Sequence, residues 1–213
     1  MKRMTLLAKK DGLSTSDFRT YWAGPHAQLA LGMQGIRAYR HNRVDKLLWT
    51  RGGDKPTFAV DGIVELVFAD ADAMRLAQSS TIGQTFIPAD EPNFLKGWTL
   101  CVVNSLGEEP AEQWVKVLIP FHIQDKHRAA LWELLQPWAV SGASHVGLDW
   151  TVSNASRERL WSEPSPPSGF ISCWFRSVAE AHEAFEPDAE LRCILERHTL
   201  AGDAYLIDQL RLK

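Results

Sequence analysis

Phe18, Trp22 and His26 stand four residues apart in the segment FRTYWAGPHAQLA (18–30), a spacing that puts all three on one side of a helix. An imidazole on such an inward stripe is either a proton acceptor or donor at neutral pH or a core histidine bonded between helix and sheet. Pro25 cannot donate to the Tyr21 carbonyl, so with Gly24 it predicts a kink, or a helix restart that sets His26 near a helix N-terminus. Burial and the positive end of the helix dipole would both keep the ring neutral there. Tyr21 and Trp22 are adjacent and face different ways. Trp22 is expected in the cavity wall or the core, and Tyr21 at the edge of the site as a hydrogen-bond donor.

Further along, Tyr39 and His41 alternate onto one face of a strand, with Ile36, Ala38 and Arg40 on the other. Should the first face meet the helices, Tyr39 and His41 join His26 around one ligand; otherwise they close a solvated strand end beside Asn42 and Arg43. In 61–70 Ile63, Glu65 and Val67 alternate onto one face and Val64, Leu66 and Phe68 onto the other, which leaves Glu65 mid-strand among apolar neighbours, where a carboxylate must be paired or protonated. A salt bridge to Arg37 or Arg40 is its ordinary role, and a second acid–base group contacting the substrate is the functional one. Asp90 and Glu91 precede the fourth strand, where such residues commonly cap turns or pair with lysine; a catalytic role is the alternative. Phe86, Phe94 and Trp98 are candidates, with Trp22, to stack on a ring.

No metal site is expected. His122 and His127 fall on different elements, and neither H-E-x-x-H nor clustered carboxylates occur. A haem would need an axial histidine, for which His26 and His145 are the candidates. A Gly-rich phosphate loop and a G-x-S-x-G elbow are both missing from the sequence, and no cofactor is expected.

These residues have to be positioned by an α+β chain. MTLLAKK (4–10) reads as a strand, Ser14 with Asp17 as a capping box opening the first helix, and 35–44 and 61–70 as strands separated by the loop TRGGDKPT (50–57). An Asp-capped helix over 70–80 and a strand over 97–105 complete a βαββαβ order, the ferredoxin-like plan. After a linker, SLGEEPAEQ (105–113), the pattern repeats. Strands fall at 114–121, 144–153, 168–176 and 203–212, with helices at 125–138 and 177–186. Two such repeats, 1–107 with the ligand cavity and 113–213 as a degenerate structural partner, predict a dimeric-type α+β barrel formed within one chain.

The 213 residues, 45% hydrophobic and 23% charged, supply one large core or two small ones. A net charge of −3 and a pI near 6.2 leave no extended basic surface, so nucleic acid and membrane are not expected as partners. A small hydrophobic or aromatic substrate is expected, and a further homodimer stays open. No apolar run would span a bilayer, and the apolar stretch in MKRMTLLAKKDG is far too short for a signal peptide, which predicts a cytoplasmic protein. Cys101, Cys173 and Cys193, without a C-x-x-C pair, read as reduced core thiols. The nine tryptophans are core bulk or the walls of a pocket for flat apolar ligands.

In order and spacing, GLSTSDFRTYWAGPHAQLA (12–30), GIRAYRHNRV (35–44), VDGIVELVFAD (60–70) and ADEPNFL (89–95) resemble the EthD family of dimeric α+β barrel proteins. The resemblance covers residues 1 to about 105, and the second half shares only the element order. It implies a cavity between sheet and helices, a histidine at the position of His26 and an acidic loop at Asp90 and Glu91. The function it leads to is a cofactor-independent lyase, decarboxylating or dehydrating a phenolic or polyketide-like molecule with His26 as acid–base and Tyr39 or His41 as hydrogen-bonding groups. Two alternatives stand beside it: a cofactor-free monooxygenase on an aromatic substrate, and a non-catalytic binding accessory of an oxygenase pathway.

Overall fold

A computed structural model describes residues 1–53, 55–111, 114–141 and 144–213. Asp54 of the predicted loop and Glu112 and Gln113 of the predicted linker lie outside the described residues. The chain runs β1 (Lys2–Lys9), α1 (Thr15–Tyr21), a π-helical turn (Trp22–His26), α2 (Ala27–Leu31), β2 (Ile36–Arg51) and β3 (Gly62–Phe68). Next come α3 (Ala71–Ser79), a second π turn (Ile82–Phe86), α4 (Ile87–Asp90), a 3-10 turn (Glu91–Asn93) and β4 (Leu95–Leu106). The second half comprises β5 (Val115–Ile123), α5 (Arg128–Ser141), β6 (His145–Ser156), β7 (Gly169–Phe175), α6 (Val178–Glu183), α7 (Glu190–His198) and β8 (Thr199–Arg211). Helix α7 adds to the elements expected from sequence.

The strands close into an antiparallel barrel in the order β1-β3-β2-β8-β5-β7-β6-β4. Two seams, β2 with β8 and β4 with β6, join the halves. Strand β2 continues well past the predicted 35–44 because its far end, Val44 to Arg51, is needed to pair with β8. The alternation read in β3 holds: Ile63 packs inside the barrel, while Val64, Leu66 and Phe68 pack outward against the helices. In β2 a bulge between Ile36 and Ala38 shifts the register. Ile36 therefore joins Tyr39 in the helix-facing cluster rather than sharing the opposite face with Arg40.

Three apolar clusters result. One lies between the first-half helices and the sheet, one occupies the corresponding layer of the second half, and a third, including Met4, Leu6, Phe58 and Tyr205, fills the barrel. The barrel also encloses charge. Glu65 pairs with Lys116, with Lys2 at 3.5 Å and with Arg40 at 3.7 Å, and accepts from Asn42 Nδ2 at 2.8 Å. Burial opposes its ionisation, but these three cations outweigh it and hold the carboxyl well below the usual range.

Candidate functional site

Helix α1 opens as its residues dictate, with Ser14 Oγ accepting from the Asp17 backbone N–H at 3.0 Å. The expected restart at Pro25 does not occur. Tyr21, Trp22, His26 and Ala27 all have helical dihedrals, and the Ala27 N–H reaches back five residues to the Trp22 carbonyl. The wider π turn absorbs Pro25, whose ring and missing N–H would otherwise break the ladder. His26 thus sits inside one continuous helical path, not at a helix start, and the dipole argument for its neutrality falls away. Burial supplies that neutrality instead.

Trp22 is fully buried and lies against β3 at Gly62, where an added Cβ would come within 2.5 Å of the indole. Its other neighbour is His41, stacked at 3.9 Å between ring centroids and 13° between planes. Tyr39 meets His41 edge-on at 4.8 Å. Both face the helices, but they are buried beneath Trp22, and both His41 ring nitrogens lack a hydrogen-bond partner among the described residues. Desolvation pushes the His41 pKa down to about 2, with His26 and Arg43 adding to the effect. Burial likewise raises the Tyr39 phenol. Both rings are neutral at pH 7.

The polar centre of this layer is Asp90, at the end of α4. Its Oδ2 lies 2.8 Å from His26 Nδ1, and its Oδ1 accepts from the Tyr21 hydroxyl at 2.6 Å and from Asn93 Nδ2 at 3.2 Å. Burial alone would raise this carboxyl; the bonds from Tyr21, His26 and Asn93 outweigh it and lower the pKa. An ionised carboxylate only accepts, so Nδ1 carries the imidazole proton and the lone pair is at Nε2. Burial lowers the His26 pKa against the pull of Asp90, and Arg3 pushes the same way. The ring is fixed by Phe94 at 4.7 Å, and Phe94 is itself packed on Phe18 and Tyr21. Full burial of Phe18 and Phe94, each stabilising by about 1.5–3 kcal/mol, makes this geometry rigid. The result is an oriented neutral imidazole, the arrangement a general base requires.

A cavity of about 570 Å³ opens in the same helix–sheet layer, with a mixed lining: Met33, Ile87, Trp98 and Leu100 on the apolar side, Gln78, Gln84 and Ser156 on the polar side, and the two arginines Arg3 and Arg157. His26 does not line it directly; Met33, Ile87, Trp98 and Leu100 belong to the cluster that also holds Trp22 and Phe94.

Several expectations change here. Glu65 is on the opposite face of the sheet, held by cations inside the barrel, and does not reach the cavity. Phe86 is 51% exposed, because the π turn rotates it outward. Phe94 and Trp98 are buried in the helix–sheet layer, and Tyr21 is at its edge as a donor. Asp90, Arg3 and Arg157 are the residues that sequence reasoning undervalued or missed. For Arg3 a signal existed, since alternation along β1 places it on the side of Leu7, whereas Arg157 arrives from the other half. Among the described residues no group of three or more His, Cys, Asp or Glu could hold a metal ion, and no helix is long and apolar enough to cross a membrane.

Solved structures with this fold include an anthrone oxidase-like protein (TM-score 0.63, 7% identity, covering 99% of this chain and 92% of the other). A Lactobacillus acidophilus protein assigned as a monooxygenase aligns with TM-score 0.57 at 8% identity over 98% and 92% of the two chains. A mutant chlorite dismutase from Candidatus Nitrospira defluvii aligns with TM-score 0.51 at 10% identity over 97% and 89%. At these identities the likeness establishes the fold alone. No curated protein sequence is significantly similar. The names of the first two speak for oxidation rather than decarboxylation or dehydration, which overturns the lyase expectation in favour of its monooxygenase alternative. Residues 10–97, the stretch that contributes both His26 and Asp90, match the family model of the EthD domain, so an EthD domain spans those residues.

Proposed function

We propose that the protein is a monooxygenase acting on a hydroxylated aromatic small molecule of the anthrone kind, with His26 as its base and no bound cofactor. The observation that carries this reading is the His26–Asp90 pair: a buried, neutral imidazole whose Nδ1 proton is held at 2.8 Å by a carboxylate, leaving Nε2 to accept. The fold shared with an anthrone oxidase-like protein supports it by analogy. In the reaction, Nε2 removes a proton from the activated CH2, and the resulting carbanion donates electrons to O2. A C–O bond forms, and the proton passes to the peroxide. Loss of the second C–H proton to Nε2 then breaks the O–O bond. The CH2 becomes C=O, the other oxygen leaves as water, and the substrate supplies all four electrons. Asp90 stabilises the transient imidazolium.

Within this reading the chain is two fused ferredoxin-like repeats, 1–107 bearing the cavity and 113–213 acting as a structural partner. The matching strand orders β4-β1-β3-β2 and β8-β5-β7-β6 support it. Three free cysteines, Cys193 exposed among them, fit a cytoplasmic setting. The purified protein is tested with 1,8-dihydroxyanthrone in ¹⁸O-labelled oxygen. One labelled oxygen in the new carbonyl and one O2 consumed per product are expected. Equal product under argon, or no uptake of oxygen, overturns the proposal.

A further inference from the structure

The first-half cavity carries a charge that its neutral walls, the polar Gln78, Gln84 and Ser156 beside apolar side chains, do not balance. Arg3, half-buried on β1, makes no hydrogen bond and no ion pair among the described residues, and its Nε is buried without an acceptor. Its guanidinium lies over the Phe68 ring, 5.7 Å from the centroid. Arg157 lines the same cavity. It lies over the Trp98 ring at 4.6 Å and pairs with the buried Glu91, Nε to Oε2, at 2.9 Å.

The delivery of Arg157 is specific. Beyond β6 the chain runs along β4, where Trp161 N–H donates to the Lys96 carbonyl at 2.8 Å and Trp98 N–H donates to the Trp161 carbonyl at 2.8 Å. Ser162 Oγ adds a bond to the Trp98 carbonyl at 2.8 Å. Two guanidiniums thus face one carboxylate, a surplus of one positive charge in a pocket whose other walls include Met33, Ile87, Trp98 and Leu100. A buried guanidinium nitrogen without an acceptor is costly, and a bound anion relieves the cost, while Trp98 and the other apolar residues of the mixed lining can take an aromatic body.

We infer that this cavity binds a carboxylate-bearing aromatic molecule, with Arg3 as the primary partner of its carboxylate, Arg157 as the second, and Trp98 against its ring. Planar guanidinium forks suit a carboxylate in a way that a single lysine would not. The inference deepens the oxygenase reading by adding an acid group to the hydroxylated aromatic, and it rests on that reading only in taking the cavity's ligand to be the substrate.

Calorimetric titration of the full chain with 2-naphthoate and with its neutral counterpart 2-naphthalenemethanol tests it. The acid is expected to bind about tenfold more tightly or better. Arg3→Met is expected to erase that preference, and Glu91→Gln, which removes the competing carboxylate, to strengthen it. Equal affinities for acid and alcohol in the unaltered protein overturn the site. So does an unchanged preference in a folded Arg3→Met variant; if that variant fails to fold, Arg157→Met and Glu91→Gln moving the preference in the same direction overturns it. Because binding is read without turnover, an acid preference with no oxygen uptake removes the oxygenase reading and leaves this site standing. Oxygen uptake with no acid preference does the reverse.

Discussion

The two helix–sheet layers are built on one plan and filled with different chemistry. Each has a helix containing a single proline followed by a buried ring: Pro25 and His26 in the first half, Pro137 and Trp138 in the second. Around His26 lie Asp90, Tyr21 and Asn93, with His41 behind Trp22. Around Trp138 the cluster is hydrocarbon, with Leu131, Leu135, Phe175, Leu191 and Leu195. Both histidines buried among the described residues, His26 and His41, belong to the first half. One layer spends its interior on polar groups and a cavity; the other is packed for cohesion. A duplicated architecture therefore does not imply a duplicated site, and the difference is set by the side chains on corresponding faces.

The sharpest way to break this comparison is to exchange chemistry for bulk in each layer. His26→Ala is expected to lower turnover by about 10²–10⁴-fold while the melting temperature stays near that of the unaltered protein. Turnover that survives unchanged would remove His26 from the mechanism. Leu135→Ala in the second layer should do the opposite, costing about 2–5 kcal/mol of stability in denaturant titration, with kcat of the folded protein unaltered. Loss of kcat there would mean that the second layer takes part in the reaction.

Asp90→Asn sharpens the contrast further. It replaces a charged acceptor with a neutral one, and the weakened hydrogen bond of about 1.5–3 kcal/mol predicts a fall of roughly ten- to a hundredfold in kcat. The fall should be accompanied by a shift in the acid limb of the pH–rate profile. Burial sets the folded pKa of His26 below its ordinary 6.5, so activity should be level at neutral pH and decline only once the medium is more acidic than a free imidazole would require.

The smallest effect concerns His41. Its folded pKa is lowered from 6.5 to about 2, so the unfolded chain takes up a proton that the folded one refuses. Stability is then fully present above pH 6.5 and is lost as the pH falls below it, by about 2 kcal/mol at pH 5. His41→Phe should flatten that part of the stability curve, and an unchanged slope would mean that the ring is protonated in place.

Local regularities were legible and distant ones were not. Alternation in β3 and the Ser14 and Asp70 caps depend on neighbours within four residues, and they came through. Gly24 and Pro25 read as a break because a π turn is rarely chosen by local sequence. The same kind of turn at Ile82–Phe86 changed the face on which Phe86 falls. Asp90 looked like a turn residue, since what makes it central is Tyr21 and His26, more than sixty residues away. Glu65 was ambiguous for the same reason: Lys116, which it faces, is fifty-one positions on.

Both seams of the barrel, β2 with β8 and β4 with β6, are made by one polypeptide. Closure is then a first-order event, with no loss of the barrel on dilution, in contrast to a barrel assembled from separate subunits. Specific activity should accordingly hold constant across protein concentrations. A single codon change at Arg157 also alters one cavity only, so that cavity is free to evolve without its mirror image having to change in step.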